Sequence, residues 1–219
     1  MILDLFQASA AAKRSCSKID CLFAAADSVT GMLMSKVSVS PKALQEIMTR
    51  VFCGNDASGA WHWKDAYEVL EIAQIKFMQK YADTLRSMKP EMVLTLLNNL
   101  QNLCPTHTKR SEESIAMQQF STPMTIGYIA ALAARLTSTD TLLEPSAGTG
   151  MLAVMGVING SKLILNELAE DREKILARLF PKAILSAHNA EYLADIPVFR
   201  LPFKRLHRVA LRQTKRRLK

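Results

Sequence analysis

The sequence predicts an α/β fold in which a helical amino-terminal region precedes part of a doubly wound sheet. Three observations predict it. Thr141-Leu142-Leu143 is a short apolar run leading into a turn with Gly148 and Gly150, after which Met151-Leu152-Ala153-Val154-Met155 starts a helix. Lys162-Leu163-Ile164-Leu165 repeats the apolar run as a second strand. Upstream of both, Ala66, Leu70, Ala73, Phe77 and Tyr81 recur at three- and four-residue steps, the spacing of a helix. Strand, glycine turn, helix and strand open a doubly wound sheet, whose ligands sit outside the carboxyl ends of the strands.

Taken in order, Ser40-Pro41 opens a helix that runs through Phe52, with serine suited to the cap and proline to the first turn. Residues 53–59 form a turn-rich break. A long amphipathic helix over Ala66 to Tyr81 follows, and Pro90 starts another, carrying Met92, Leu96, Leu97 and Leu100 until Pro105 ends it. Trp61 and Trp63 read as packing anchors rather than platforms for bases, and His62, His107 and His188 lack companions at metal-ligand spacing. Ser121 or Thr122 can cap a further helix with Pro123 at its first position, whose buried face would be Ile126, Ile129, Ala130, Ala133 and Leu136. The α/β part then reads as strand 141–145, helix 150–159, strand 162–167, helix 169–179 and strand 183–188. The predicted organisation is a helical region over 1–112, a partial sheet domain over 113–195 and a basic tail over 196–219.

The net charge of +8 is unevenly placed. Asp195 is the last acidic residue, and nine of the 28 lysines and arginines follow it: Arg200, Lys204, Arg205, Arg208, Arg212, Lys215, Arg216, Arg217 and Lys219. The remaining 19 basic residues face 20 acidic ones, so the body is near neutral and the excess sits in the tail. Such a tail can bind DNA by neutralising phosphates and releasing counterions. With only Phe199 and Phe203 as aromatic platforms, sequence reading is not indicated. No apolar run approaches the ~20 residues that span a bilayer, and the amino terminus lacks the order of a secretory signal. Cys16, Cys21, Cys53 and Cys104 have neither zinc nor disulfide-framework spacing, which points to free thiols in the cytoplasm.

The chemistry concentrates between Gln118 and Glu167. Gly148 and Gly150 lack a Cβ, so the backbone can turn tightly and admit a ligand closely. Glu144, at the end of the first strand, can receive a ligand ammonium. Glu167 closes the second strand 17 positions after Gly150. A carboxylate about 20 residues beyond such glycines can accept both hydroxyl protons of a ribose, although an acid there also suits the start of the next helix. The dinucleotide fingerprint is missing, since no third glycine appears until Gly156, and Gly160-Ser161-Lys162 lacks the first glycine and final hydroxyl of a phosphate loop. A nucleoside bearing an amino acid fits better than ATP or NAD, which points to S-adenosylmethionine.

Glu144-Pro145-Ser146-Ala147-Gly148-Thr149-Gly150 resembles the donor-binding motif of class I methyltransferases, in the form used by amino-methylating DNA enzymes. Gln119-Phe120-Ser121-Thr122-Pro123 resembles the Thr-Pro motif just upstream in adenine-N6 enzymes. More closely, the stretch from about Ser40 to Asp195 is similar to the amino-terminal part of strawberry-notch-type proteins, which join a methylase domain to a helicase-like domain. Gly59-Ala60-Trp61-His62-Trp63-Lys64 and Pro105-Thr106-His107-Thr108-Lys109-Arg110-Ser111-Glu112-Glu113-Ser114 add to that likeness. The resemblance implies a partial Rossmann-like class I methyltransferase sheet and methyl transfer to the N6 amino group of adenine in DNA. It implies that Glu144, Gly148 and Gly150 cradle the methionine end of the donor, with Pro145 and Ala147 also binding the donor and Thr122 and Pro123 closing over it. Glu167 would take the ribose. Asn189 stands where the family commonly has an aspartate that touches the donor's adenine.

One family element is missing. Amino-methylating enzymes carry an Asn- or Asp-Pro-Pro-aromatic motif after the fourth strand, where it holds the target amino group and stacks on the flipped base. This sequence has no Pro-Pro, and Leu201-Pro202-Phe203 has no carboxamide or carboxylate before it. The expectation is a truncated or frame-shifted member, without catalytic residues of its own. Its first strand would lie open along one edge and be prone to associate, unless a helicase-like domain or another chain completed the sheet. The alternatives are a non-catalytic module of a methylase/helicase-type protein, and a nucleic-acid-binding protein acting through its basic tail.

Overall fold

The computed structural model describes residues 17–106, 122–192 and 206–208. Gln118 to Ser121, His107 to Ser114, Leu201 to Phe203 and the rest of the basic tail except Leu206 to Arg208 lie outside the described residues. Five helices come first: α1 (Lys18–Met34), α2 (Pro41–Val51), α3 (Trp63–Lys80), α4 (Ala82–Ser87) and α5 (Pro90–Asn102). Helix α6 (Met124–Ala133) leads into β1 (Thr141–Glu144), α7 (Ala153–Asn159), β2 (Lys162–Asn166), α8 (Glu170–Leu179) and β3 (Ile184–Ser186), and β4 (Leu206–Arg208) completes the order. The fold is α/β, mostly helical with a small parallel sheet.

Helices α2 and α5 begin where their prolines place them. Ser40 caps α2 by accepting the Ala43 amide at 3.1 Å. Helix α1 carries no proline or glycine signal at its start and has no counterpart in the sequence reading; Ser17 caps it by accepting the amide of Asp20.

Helix α3 departs from the amphipathic helix that the periodicity predicts. It is buried on nearly every side, with Ala66, Val69, Leu70, Ile72, Ala73, Ile75 and Met78 all at 0% exposure. Helix α1 covers one flank, and α7 and α8 come against it from the sheet side. The acidic residues on α3, Asp65, Glu68 and Glu71, are therefore drawn inside, and each finds a partner there. Lys18 of α1 bridges Asp65 on α3 at 2.9 Å and Asp171 on α8 at 2.8 Å. Trp61 is 1% exposed and donates its indole N–H to the Gly54 carbonyl at 3.0 Å, while the Trp63 indole donates to Asp56 at 3.1 Å. Both tryptophans pack, as expected.

Helix α6 shows the opposite face to the one predicted. Met124, Gly127, Tyr128 and Ala131 are buried, whereas Ile126 and Ile129 are 43% and 49% exposed and Ala133 is exposed. The cause is Gly127, which brings α6 close to α7: a Cβ there would stand 3.3 Å from Met155 Cε and 3.5 Å from the Met151 carbonyl. The bulky isoleucines cannot approach that far. No side chain caps α6, and Pro123 occupies the cap position rather than the first turn. Leu136, beyond the helix, is buried as predicted.

All strands run parallel in the order β3-β2-β1-β4. Thr141 to Glu144 pair with Lys162 to Leu165, and Thr141 to Leu143 pair on the other side with Leu206 to Arg208. The expectation that β1 is an open edge is thereby overturned. A buried central strand must satisfy its backbone groups on both sides, and three residues of the basic tail, Leu206 to Arg208, are enough to do so. Leu142 and Leu143 are fully buried. One hydrophobic core runs without interruption from Leu22 of α1 through α3 to Phe180 beyond α8, so the helices and the sheet share an interior.

Candidate functional site

The chain leaves β1 at Glu144, turns through residues 145–152 and enters α7 at Ala153, three residues later than predicted. Gly148 and Gly150 both have positive φ, 57° and 102°. Non-glycine residues pay a steric penalty there, so both positions call for glycine. The two glycines differ in what lies beside them. A Cβ at Gly148 would meet nothing nearer than Arg172 Nη1 at 3.9 Å, so that side of the loop is open. A Cβ at Gly150 would overlap Phe180 Cε2 and fall 2.8 Å from its Cζ and 3.1 Å from Leu176 Cδ2. The space at Gly150 belongs to the Phe180 ring, and only Gly148 leaves room for a ligand.

Two side chains at the end of β2 hold the loop. Glu167 accepts the Gly148 amide on Oε2 at 2.8 Å and the Ala169 amide on Oε1 at 3.0 Å. It therefore fixes the loop and also opens α8. An ionised carboxylate has about four acceptor sites, so two amides leave capacity for hydroxyl donors. Asn166 is 1% exposed. Its Nδ2 donates to the carbonyls of Pro145 at 2.9 Å and His188 at 2.7 Å. Its Oδ1 accepts from the Ser186 hydroxyl at 2.8 Å and the His188 amide at 2.9 Å. One carboxamide thus binds together the carboxyl ends of β1, β2 and β3.

Beside the loop lies a cavity of about 50 Å³, lined by Glu71, Thr122, Ser146, Ala147, Gly148, Thr149, Met151, Leu152 and Arg172. That volume holds a few water molecules or one polar end of a larger ligand. Of the residues singled out from sequence, Thr122, Ala147 and Gly148 line it. Glu144, Pro145 and Gly150 are buried behind the loop, where Glu144 Oε1 accepts the Ser146 amide at 3.1 Å. Pro123 is exposed at the start of α6. Asn189 is exposed and accepts the Glu191 amide on its own side chain at 3.0 Å, away from the cavity.

The floor of the cavity carries charges that the sequence reading passed over. Arg172 of α8 donates from Nε to Glu68 at 2.9 Å, with both residues buried. Glu71, one helical turn along α3, accepts the Thr149 hydroxyl. Burial pushes the Glu71 carboxyl up to about 7, against the pull of Arg172 and the Thr149 hydroxyl. Burial raises Glu68 as well, again opposed by Arg172. The guanidinium loses solvation too, but Glu68 and Glu71 more than restore its charge. A signal for this cluster was present in Glu68 and Glu71, two acids three residues apart inside Val69-Leu70 and Ile72-Ala73. Acids within so apolar a stretch need an internal partner.

Among the described residues no group of three or more His, Cys, Asp or Glu could hold a metal ion, and no helix is long and apolar enough to cross a membrane. Compared with known proteins, the chain matches no family profile, no curated protein and no solved structure.

Proposed function

We propose that the loop after β1 binds S-adenosylmethionine, and that the chain is the donor-binding part of a class I adenine-N6 DNA methyltransferase. The observation that carries this reading is Gly148: its φ of 57°, its open side, and its amide held by Glu167 from the end of the neighbouring strand. The loop sits at the carboxyl edge of a parallel sheet, at the central strand where the chain order changes direction between β2 and β4. Open α/β sheets bind ligands at that position. The cavity suits the amino-acid end of the donor, with Thr122 at its rim, while Glu167 keeps acceptor capacity for the ribose hydroxyls. Bound donor supplies an activated methyl group. The residues of this chain orient it and exclude water around it.

Without an Asn/Asp-Pro-Pro-aromatic motif, the chain alone does not hold an adenine amino group in line, so its own methylation activity is expected to be negligible. A helicase-like domain or another chain would bring that part, in the cytoplasm.

Calorimetry with S-adenosylmethionine tests the site. The wild-type chain binds weakly, and Gly148→Val or Glu167→Ala abolishes binding. Valine at positive φ is strained and its side chain points into the open space, while alanine at 167 releases the loop and removes the ribose acceptor. Unchanged affinity in both variants would sink the assignment.

The basic tail supports a second interaction, with DNA backbone. Removing the whole tail would also remove β4, so the sharper variant replaces Arg212, Lys215, Arg216, Arg217 and Lys219 by glutamine. Affinity for duplex DNA should then fall equally for all sequences, and the slope of log K against log salt should drop by about one for each phosphate no longer neutralised. An unchanged slope places the DNA-binding surface elsewhere.

A further inference from the structure

The glycine loop spends its amides on the protein itself. The Ser146 amide goes to Glu144 at 3.1 Å and the Gly148 amide to Glu167 at 2.8 Å. The Ala147 amide goes to the Asn166 carbonyl and the Gly150 amide to the Ala147 carbonyl, both at 2.9 Å. The Thr149 hydroxyl donates to Glu71. An anion in the cavity therefore cannot draw on those donors, as a phosphate does where loop amides point at it. Among the described residues that line the cavity, Arg172 is the cation. It is 8% exposed and gives its Nε to Glu68 at 2.9 Å. A guanidinium carries five N–H donors in a fixed fork, so that bond leaves both Nη groups outside it. Nη1 is the nearest atom to the open side of Gly148, 3.9 Å from where a Cβ would stand.

We infer that Arg172 receives the α-carboxylate of the bound donor through its Nη edge, and so sets the amino-acid end of the ligand against the open side of Gly148. The assignment rests on the donor-binding reading above. Glu68, Glu71 and Glu167 all act on this guanidinium, and Lys64 acts on Glu68, so the surroundings are a network of opposed charges. An amino-acid end suits such a network because it is a zwitterion. Its carboxylate enters together with an ammonium and adds no net charge to a buried space, whereas a lone anion would face three acids uncompensated. Paired N–H···O contacts to a carboxylate belong to the planar fork, and a lysine ammonium at the same place offers only a point charge.

The test uses the full chain and two probes, S-adenosylhomocysteine and its decarboxylated form, which keeps the nucleoside, thioether and ammonium but has no carboxylate. Wild type should bind S-adenosylhomocysteine at least about tenfold more tightly, the scale of a charge-assisted pair. The surrounding acids favour the decarboxylated probe, which carries net positive charge, so the opposite preference reports the carboxylate contact. Arg172→Lys keeps a cation beside Glu68 and loses the fork. Glu68→Gln combined with Arg172→Gln removes both charges of the buried pair, so neither is stranded where the lysine variant fails to fold. In both variants the preference should shrink to within about threefold, with the decarboxylated probe bound as by wild type. A preference kept at its wild-type size overturns the role of Arg172 while leaving the donor site standing, and so does a wild type with no preference. Parallel loss of both probes makes Arg172 a support of the fold and overturns the assignment too. If wild type binds neither probe, the donor site itself falls and the assignment falls with it.

Discussion

Replacing Arg172 by methionine should destabilise the protein by about 3–5 kcal/mol at pH 8, as expected when one partner of a buried ion pair is removed. Methionine keeps the aliphatic bulk but takes the guanidinium away from the buried Glu68 and Glu71. Global stabilities run to roughly 5–15 kcal/mol, so the loss is a large share of the total. Its pH dependence identifies the cause. Without Arg172 both carboxyls titrate higher in the folded state than they do now, and higher than in the unfolded chain. Near pH 4 the two states hold nearly the same protons and the penalty is small. Because both carboxyls are already raised in the wild-type fold, Glu71 to about 7, wild type and variant keep the same protons through the ordinary carboxylate range; the penalty grows as pH rises past the wild-type folded values, where the wild type ionises and the variant does not. Urea unfolding at pH 4.5 and pH 8 measures this directly. A deficit of equal size at both values would mean that Arg172 acts through packing alone.

The second large effect belongs to Gly150→Ala. The φ of 102° is strained for any residue with a Cβ, and that Cβ would overlap Phe180 Cε2 and stand 2.8 Å from Cζ. Left-handed strain of about 1–2 kcal/mol adds to overpacking of about 1–3 kcal/mol, so about 2–5 kcal/mol is expected. The two parts separate in a double-mutant cycle. Phe180→Leu vacates part of the space, so the alanine should cost less in that background, leaving the backbone strain. Gly150→Ala within about 0.5 kcal/mol of wild type in thermal and urea unfolding would show that the loop and Phe180 are not packed as described.

How far the sequence led can be judged from particular residues. The strands β1, β2 and β3 and helix α8 lie where apolar runs and Pro181 place them, because short buried strands and punctuated helices are locally encoded. The contrast between Gly148 and Gly150 was not legible. Both letters promise an unusual backbone, but whether the empty side faces a ligand or a phenyl ring is decided by Phe180, thirty residues on. The inverted face of α6 has a similar origin. Periodicity finds a stripe of isoleucines, whereas close approach to α7 selects the stripe containing Gly127. Glu68, Glu71 and Arg172 come together only in three dimensions, although acids inside the apolar run of α3 were a local sign that a partner existed. Strand β4 was missed because three residues in a basic stretch carry no recognisable strand signature, and backbone pairing is indifferent to side-chain charge.

The shared interior of helices and sheet bears on how this protein can be cut. A cassette beginning at Met124 would carry the strands, the glycine loop and α8 to a new host, and it would look like a transferable unit on paper. It would arrive with Thr149 deprived of the Glu71 acceptor, Arg172 deprived of Glu68, and the faces of α7 and α8 that meet α3 turned to water. Recombination or engineering that respects this architecture has its nearest workable upstream seam before Lys18, because that ammonium clasps Asp65 on one side and Asp171 on the other.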